Sequence, residues 1–181
     1  MKEKKRKNIR LCLVTLLLIL FSTGCLNIFS IRSNIEVIPE GKGIYAPGFK
    51  TGTYTDFSEK PGKTRIIWDK QSREYEIQPN DPDVSRFRLM KLRRQYYLLQ
   101  SKEEDHFSFA VIKVHKGIVD FLNIKEDHEE KLKKLLKKHR LELDEEDNIS
   151  GTREGLVLFF KDLVKKKYLE SGEKIRYLGK E

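Results

Sequence analysis

The spacing of apolar and polar residues changes period along this chain, and each change predicts an element. Arg65-Ile66-Ile67-Trp68 and Glu74-Tyr75-Glu76-Ile77 flank the polar turn Asp69-Lys70-Gln71-Ser72, the pattern of a hairpin. Tyr75 and Ile77 alternate with Glu74 and Glu76, which assigns both carboxylates to a wet strand face. Val84 to Gln100 continues as two strands around a basic turn at Arg93-Arg94. His106 to Val114 is apolar on both faces, with Phe107, Phe109 and Val111 opposite Ala110, Ile112 and Val114. That pattern predicts a central strand covered on both sides. His115-Lys116-Gly117 then turns the chain into a further strand, Ile118 to Ile124.

At Lys125 the period becomes helical. Asp127 can cap, Glu130 follows three residues later, and Leu132, Leu135 and Leu136 carry one apolar face to about His139. A second helix is expected from Ser150 or Thr152, with Leu156, Phe159, Phe160, Leu163 and Val164 as its apolar stripe. Gly172 should end that segment, and Ile175 to Leu178 reads as a last short strand. Ile35 to Gly62, by contrast, is interrupted by proline and glycine and predicts brief strands or extended turns. Strands precede helices, so the class is α+β: a curved antiparallel sheet or partly closed barrel of about six to eight strands, followed by two helices.

The first 25 residues carry a different signal. Met1 to Arg10 is basic, Leu11 to Phe21 is an uncharged apolar run, and Ser22-Thr23-Gly24 precede Cys25. These are the three parts of a secretory signal, and the run falls short of the roughly 20 residues that a membrane span needs. Phe21-Ser22-Thr23-Gly24-Cys25 resembles the lipobox of bacterial lipoproteins, with Ser22 where leucine is usual. The resemblance implies a diacylglyceryl thioether on Cys25, cleavage after Gly24 and acylation of the new amino group. It further implies an extracytoplasmic, membrane-anchored protein. Leu26, in place of the aspartate that usually signals inner-membrane retention, implies the outer membrane in a Gram-negative cell. Each buried acyl CH₂ contributes about 0.8 kcal/mol, so two or three chains hold far more firmly than one. The expected organisation is a signal peptide over 1–24, a lipidated cysteine and tether over 25–34, and one α+β domain over 35–181. The stretch from Trp68 through Phe87-Arg88-Leu89 to Tyr96-Tyr97-Leu98-Leu99-Gln100 is loosely similar to small bacterial lipoproteins, a likeness that implies no activity.

Charge changes this picture little. The formal net charge is +9, but six of the 37 basic residues and one of the 28 acidic ones lie in Met1–Gly24. The remainder holds 31 basic and 27 acidic residues, a net +4, which is a mixed surface with weak reason to expect nucleic acid. Arg86, Arg88, Lys91, Arg93 and Arg94 beside Tyr96 and Tyr97 read as an outer strand face and turn. Lipid headgroup or glycan contact is the alternative for that set. Cys12 and Cys25 are the only cysteines, so a body cleaved after Gly24 has neither disulfide nor thiolate metal site.

Candidate chemistry is sparse. Gly41-Lys42-Gly43 lacks the rest of a phosphate loop, and Pro79-Asn80-Asp81-Pro82-Asp83 lacks the spacing of a calcium loop. His106, His115, His128 and His139 read as surface residues without a partner; the last two, about three turns apart, cannot share a metal within one helix. No catalytic residue, cofactor or metal is therefore expected. The function expected is a lipid-anchored envelope protein acting as a binding or scaffolding module, with an envelope protein or a small apolar ligand as partner. The alternative is an envelope hydrolase whose site is assembled only in three dimensions.

Overall fold

A computed structural model describes residues 31–57, 61–78, 85–103, 105–125, 128–144 and 148–180. The chain begins with β1 (Ile31–Ser33) and crosses an irregular segment to β2 (Gly52–Asp56). An antiparallel meander follows: β3 (Lys63–Asp69), β4 (Glu74–Gln78), β5 (Ser85–Arg93), β6 (Tyr96–Lys102), β7 (Phe107–His115) and β8 (Ile118–Ile124). Helix α1 (Glu129–Lys138) comes next, then the two-residue strands β9 (Glu142–Leu143) and β10 (Ile149–Ser150), which pair with each other. Helix α2 (Arg153–Lys165) leads into β11 (Leu169–Gly179). β11 lies between β8 and β2, antiparallel to both, and β7 pairs β8, so β2–β8 and β11 close an eight-stranded barrel. β1 is an additional strand on the first half of β7. The α+β class is as expected; of the curved sheet or partly closed barrel expected, the structure has a barrel, fully closed by a strand that follows the helices.

Closure depends on a close approach. Gly52 has φ +147°, and a Cβ there would lie 2.3 Å from the Gly179 carbonyl oxygen. Only glycine lets β2 and β11 meet at this corner.

The alternation in β7 divides the apolar residues between two cores. Ile112 and Val114 point into the barrel, with Tyr54, Ile66, Tyr75, Phe87, Leu89 and Val119. Phe109 and Val111 point outward and pack with Leu98 beneath Leu135, Leu136, Leu156, Phe159, Phe160 and Leu163 of the two helices. Both faces of β7 are thus covered, as its sequence predicts. α2 starts at Thr152, whose hydroxyl accepts from the Gly155 amide at 3.0 Å. The Asp127 cap expected for α1 lies outside the described residues, and His128 before the helix makes no side-chain cap. Glu129 and Glu130 open α1 and Lys137 and Lys138 close it, which suits the helix dipole.

The barrel is filled by aromatic side chains. Phe49, from the segment before β2, enters the interior with its ring 5.0 Å from Tyr75, 5.8 Å from Phe87 and 5.3 Å from Tyr54. The Ala46 amide donates to the Tyr75 hydroxyl (2.9 Å), which donates in turn to the Phe49 carbonyl (3.3 Å). These bonds pin the segment as a plug. Burial pushes the Tyr54 and Tyr75 hydroxyls well above the usual tyrosine range, so both stay neutral donors.

Of the brief strands or extended turns expected from Ile35 to Gly62, Ile35–Ile38 and Gly43–Tyr45 take the irregular, turn-like form. Their backbone is satisfied by side chains of the barrel wall: Gln100 Oε1 accepts from the Val37 and Ile38 amides at 2.8 and 2.7 Å. Glu74 is buried instead of solvated, because that segment and Arg88 cover it. The last strand has 11 residues and includes Gly172, near a register shift between Ser171 and Lys174. Ile31–Ser33, expected within a tether, is already paired to Phe107–Phe109.

Candidate functional site

The lipidation site Cys25 and its cleavage motif Ser22, Thr23 and Gly24 lie outside the described residues, as does Pro79-Asn80-Asp81-Pro82-Asp83. Among the described residues no group of three or more His, Cys, Asp or Glu could hold a metal ion. The basic set read from the sequence is divided by the fold. Arg86 pairs with Glu76 at 2.7 Å and Arg88 with Glu74 and Glu36 at 2.6 Å each. Lys91, Arg93 and Arg94 remain exposed. Two histidines have partners that their sequence context did not reveal. The His139 ring is largely buried, with Nε2 3.1 Å from Asp162 Oδ2, and His106 Nε2 lies 2.8 Å from Glu103 Oε2. His128 stands edge-on to Tyr168, ring centroids 4.7 Å apart, and His115 is exposed beside the β7–β8 turn.

A broad concavity with convergent chemistry lies at a barrel mouth. An open groove of about 820 Å³ runs between the segment before β2 and the β3–β4 turn. Its floor is aromatic: Tyr45 is 44% exposed, edge-on to Trp68 (5.8 Å) and stacked near Tyr75 (6.4 Å). Trp68 is 4.9 Å from Tyr75, so the groove is continuous with the plugged interior. Its rim is cationic, formed by Lys50, Lys70, Arg73 and Lys180. No carboxylate lines it, and none of these four cations makes an ion pair among the described residues.

Each rim residue is placed by an identifiable contact. Asp69 accepts from the Gln71 amide at 2.8 Å and from the Ser72 hydroxyl at 2.9 Å. Those two bonds, the amide first, hold its carboxyl below the usual carboxylate range and shape the turn that presents Lys70 and Arg73. Arg73 is in the left-handed region (φ 58°), and its Nε donates to the Gly43 carbonyl at 2.9 Å. A Cβ on Gly43 would lie 2.1 Å from the Arg73 oxygen, so this contact excludes any larger residue. Lys50 Nζ lies 5.3 Å from the Tyr177 ring centroid, and the Lys50 carbonyl accepts from the Tyr54 hydroxyl at 2.7 Å. The Trp68 amide donates to Thr51 Oγ1 at 3.1 Å.

Ammonium and guanidinium donors around an exposed aromatic floor suit an anionic group joined to an apolar or ring-shaped body. By contrast, a small apolar cavity of about 10 Å³ beneath Phe109, Leu122 and Phe160 has room for about one water. Comparison with protein-family models, curated proteins and solved structures gave no match to this chain.

None of the rim residues was singled out from the sequence. Lys70 and Arg73 occupy one hairpin turn, but Lys50 and Lys180 are 130 positions apart and meet because β11 closes against β2. The available signal was local: a cation in each turn after β3, β5 and β7.

Proposed function

We propose that this protein is a lipid-anchored component of a bacterial cell envelope, whose body is a binding module for anionic groups. The anchor reading is supported by the basic leader, the apolar run and Ser22-Thr23-Gly24-Cys25. The binding reading is carried by one observation, the groove of cations that make no ion pair among the described residues, over Trp68 and Tyr45. A filled barrel leaves its outer surface to do the binding, and the interior residues Phe49, Tyr75 and Phe87 occupy the space an apolar ligand would need.

Two measurements test the two parts separately. Replacing Cys25 with alanine should abolish fatty-acid labelling and leave an uncleaved precursor; normal labelling of that variant refutes the anchor. Trp68 is the single tryptophan, so its emission reports the groove directly. Titration of the full-length protein with a soluble polyanion such as polyphosphate should shift that emission, and the shift should disappear at high salt. An emission spectrum indifferent to polyanion refutes the binding reading.

A further inference from the structure

The meander sorts its turns between two ends of the barrel. The β3–β4, β5–β6 and β7–β8 turns lie at one end, with the start of β2 and the finish of β11. In sequence those three turns, residues 70–73, 94–95 and 116–117, hold Lys70, Arg73, Arg94 and Lys116 and no acid. These turns therefore present cations with no carboxylate of their own, although the overall charge is mixed.

Three features converge on the basic end. Of the five described non-glycine residues with positive φ, all Arg or Lys, three lie in these turns: Arg73, Arg94 and Lys116, at 58°, 46° and 49°. Left-handed turn positions favour Gly, Asn or Asp, yet each of these turns places a cation there. The groove opens at this end, and tryptophan and tyrosine beside lysine and arginine are the residues that settle at a lipid–water interface. Lastly, β1 runs antiparallel to β7, so Ile31 is the residue of β1 nearer this end. Ile31 sits opposite Phe109, and six residues of β7 separate that level from His115. Six residues also separate Cys25 from Ile31, a reach of at most about 20 Å.

We propose that the cation-bearing end of the barrel, with the Trp68–Tyr45 groove opening on it, rests on the anionic lipid surface in which the acyl chains of Cys25 are embedded. The inference rests on the lipid-anchor reading above and adds orientation and partner to it. The short tether keeps the body at the surface; the turn cations select which end faces it. Each lysine or arginine near an anionic surface strengthens attachment about fivefold, so four acting together amount to several hundredfold.

The test uses full-length lipidated protein in vesicles of phosphatidylcholine, with or without phosphatidylglycerol, carrying brominated acyl chains. The protein should float with both vesicle types. Trp68 should be quenched by the brominated lipid and shielded from acrylamide only in the phosphatidylglycerol vesicles, and 0.5 M NaCl should reverse this. A Lys70→Glu, Arg73→Glu, Arg94→Glu, Lys116→Glu variant should still float yet lose the quenching. The salt reversal in the unaltered protein tests the same point without depending on that variant's folding. Failure to float with either vesicle type overturns the anchor, and this inference with it. Flotation with equal Trp68 exposure in both vesicles overturns the docking alone. So does a Trp68 response to soluble polyphosphate with none to phosphatidylglycerol, which would make the groove a site for a soluble anion.

Discussion

Arg88 Nε lies 2.6 Å from Glu74 Oε1 in the outer barrel wall, with side chains only 9% and 12% exposed. Arg88 Nη1 also donates to Glu36 Oε1 at 2.6 Å and to the Ile38 carbonyl at 2.8 Å. Burial works against the guanidinium charge, but the Glu74 and Glu36 carboxylates outweigh it and hold the group above its usual range. This pair ties the irregular 35–42 segment to two strands. Removing one partner leaves the other charge buried and uncompensated.

Arg88→Ala should therefore cost about 3–5 kcal/mol in urea unfolding, while Arg88→Met with Glu74→Met should recover much of that loss. A single variant within 1 kcal/mol of the parent would show that the pair contributes little.

The plug has its own test. Tyr75→Phe keeps the stacked ring but removes the hydroxyl that receives the Ala46 amide and donates to the Phe49 carbonyl. The expected loss is about 1–3 kcal/mol, because a buried amide is left unsatisfied. Hydrogen exchange at Ala46 should accelerate more than exchange in β7; uniform acceleration would place the effect elsewhere.

The contact between helices depends on pH. The Lys138 ammonium, 2.5 Å from Asp162 Oδ2, holds that carboxyl below the usual range; burial opposes this and His139 adds to it. A carboxyl lowered on folding stabilises fully above its unfolded value, and the contribution is lost as pH falls through the folded value. Asp162→Asn should thus cost roughly 1 kcal/mol at pH 7, a modest figure because Lys138 is more than half exposed. The gap between variant and parent should narrow as pH falls below about 4. A gap independent of pH would remove the charge from the explanation.

The turn cations should cost stability. Arg94→Asn and Lys116→Asn place a residue that tolerates left-handed backbone at φ 46° and 49°. Each should stabilise the fold by roughly 0.5 kcal/mol while reducing Trp68 quenching in anionic vesicles. Thermal unfolding and quenching measured on the same samples check the trade; loss of both together would contradict it.

Much of the fold is legible in local pattern. The β3–β4 and β7–β8 hairpins, the doubly covered β7 and the Thr152 start of α2 follow from spacing that neighbouring residues read directly. The full length of β11 was not legible. Glu170, Glu173, Lys174 and Arg176 give it no clean alternation, and what makes it a strand is the pair of free edges that β2 and β8 offer. The burial of Glu74 was hidden for a similar reason: alternation identifies a face, but not what later covers it.

The sequence alone supplied the lipobox resemblance ending at Cys25 and determined the periods of strands and helices and which side chains are apolar, because each depends on residues near one another in the chain. Tertiary structure decided that the sheet closes, that Phe49 plugs it, and that Arg88 and Glu74 leave the solvent. It also brought Lys50, Lys70, Arg73 and Lys180 around Trp68 at the end that bears the turn cations. Barrel closure couples residues far apart in the chain, and a charge along a strand carries no mark of which end of the barrel it will occupy.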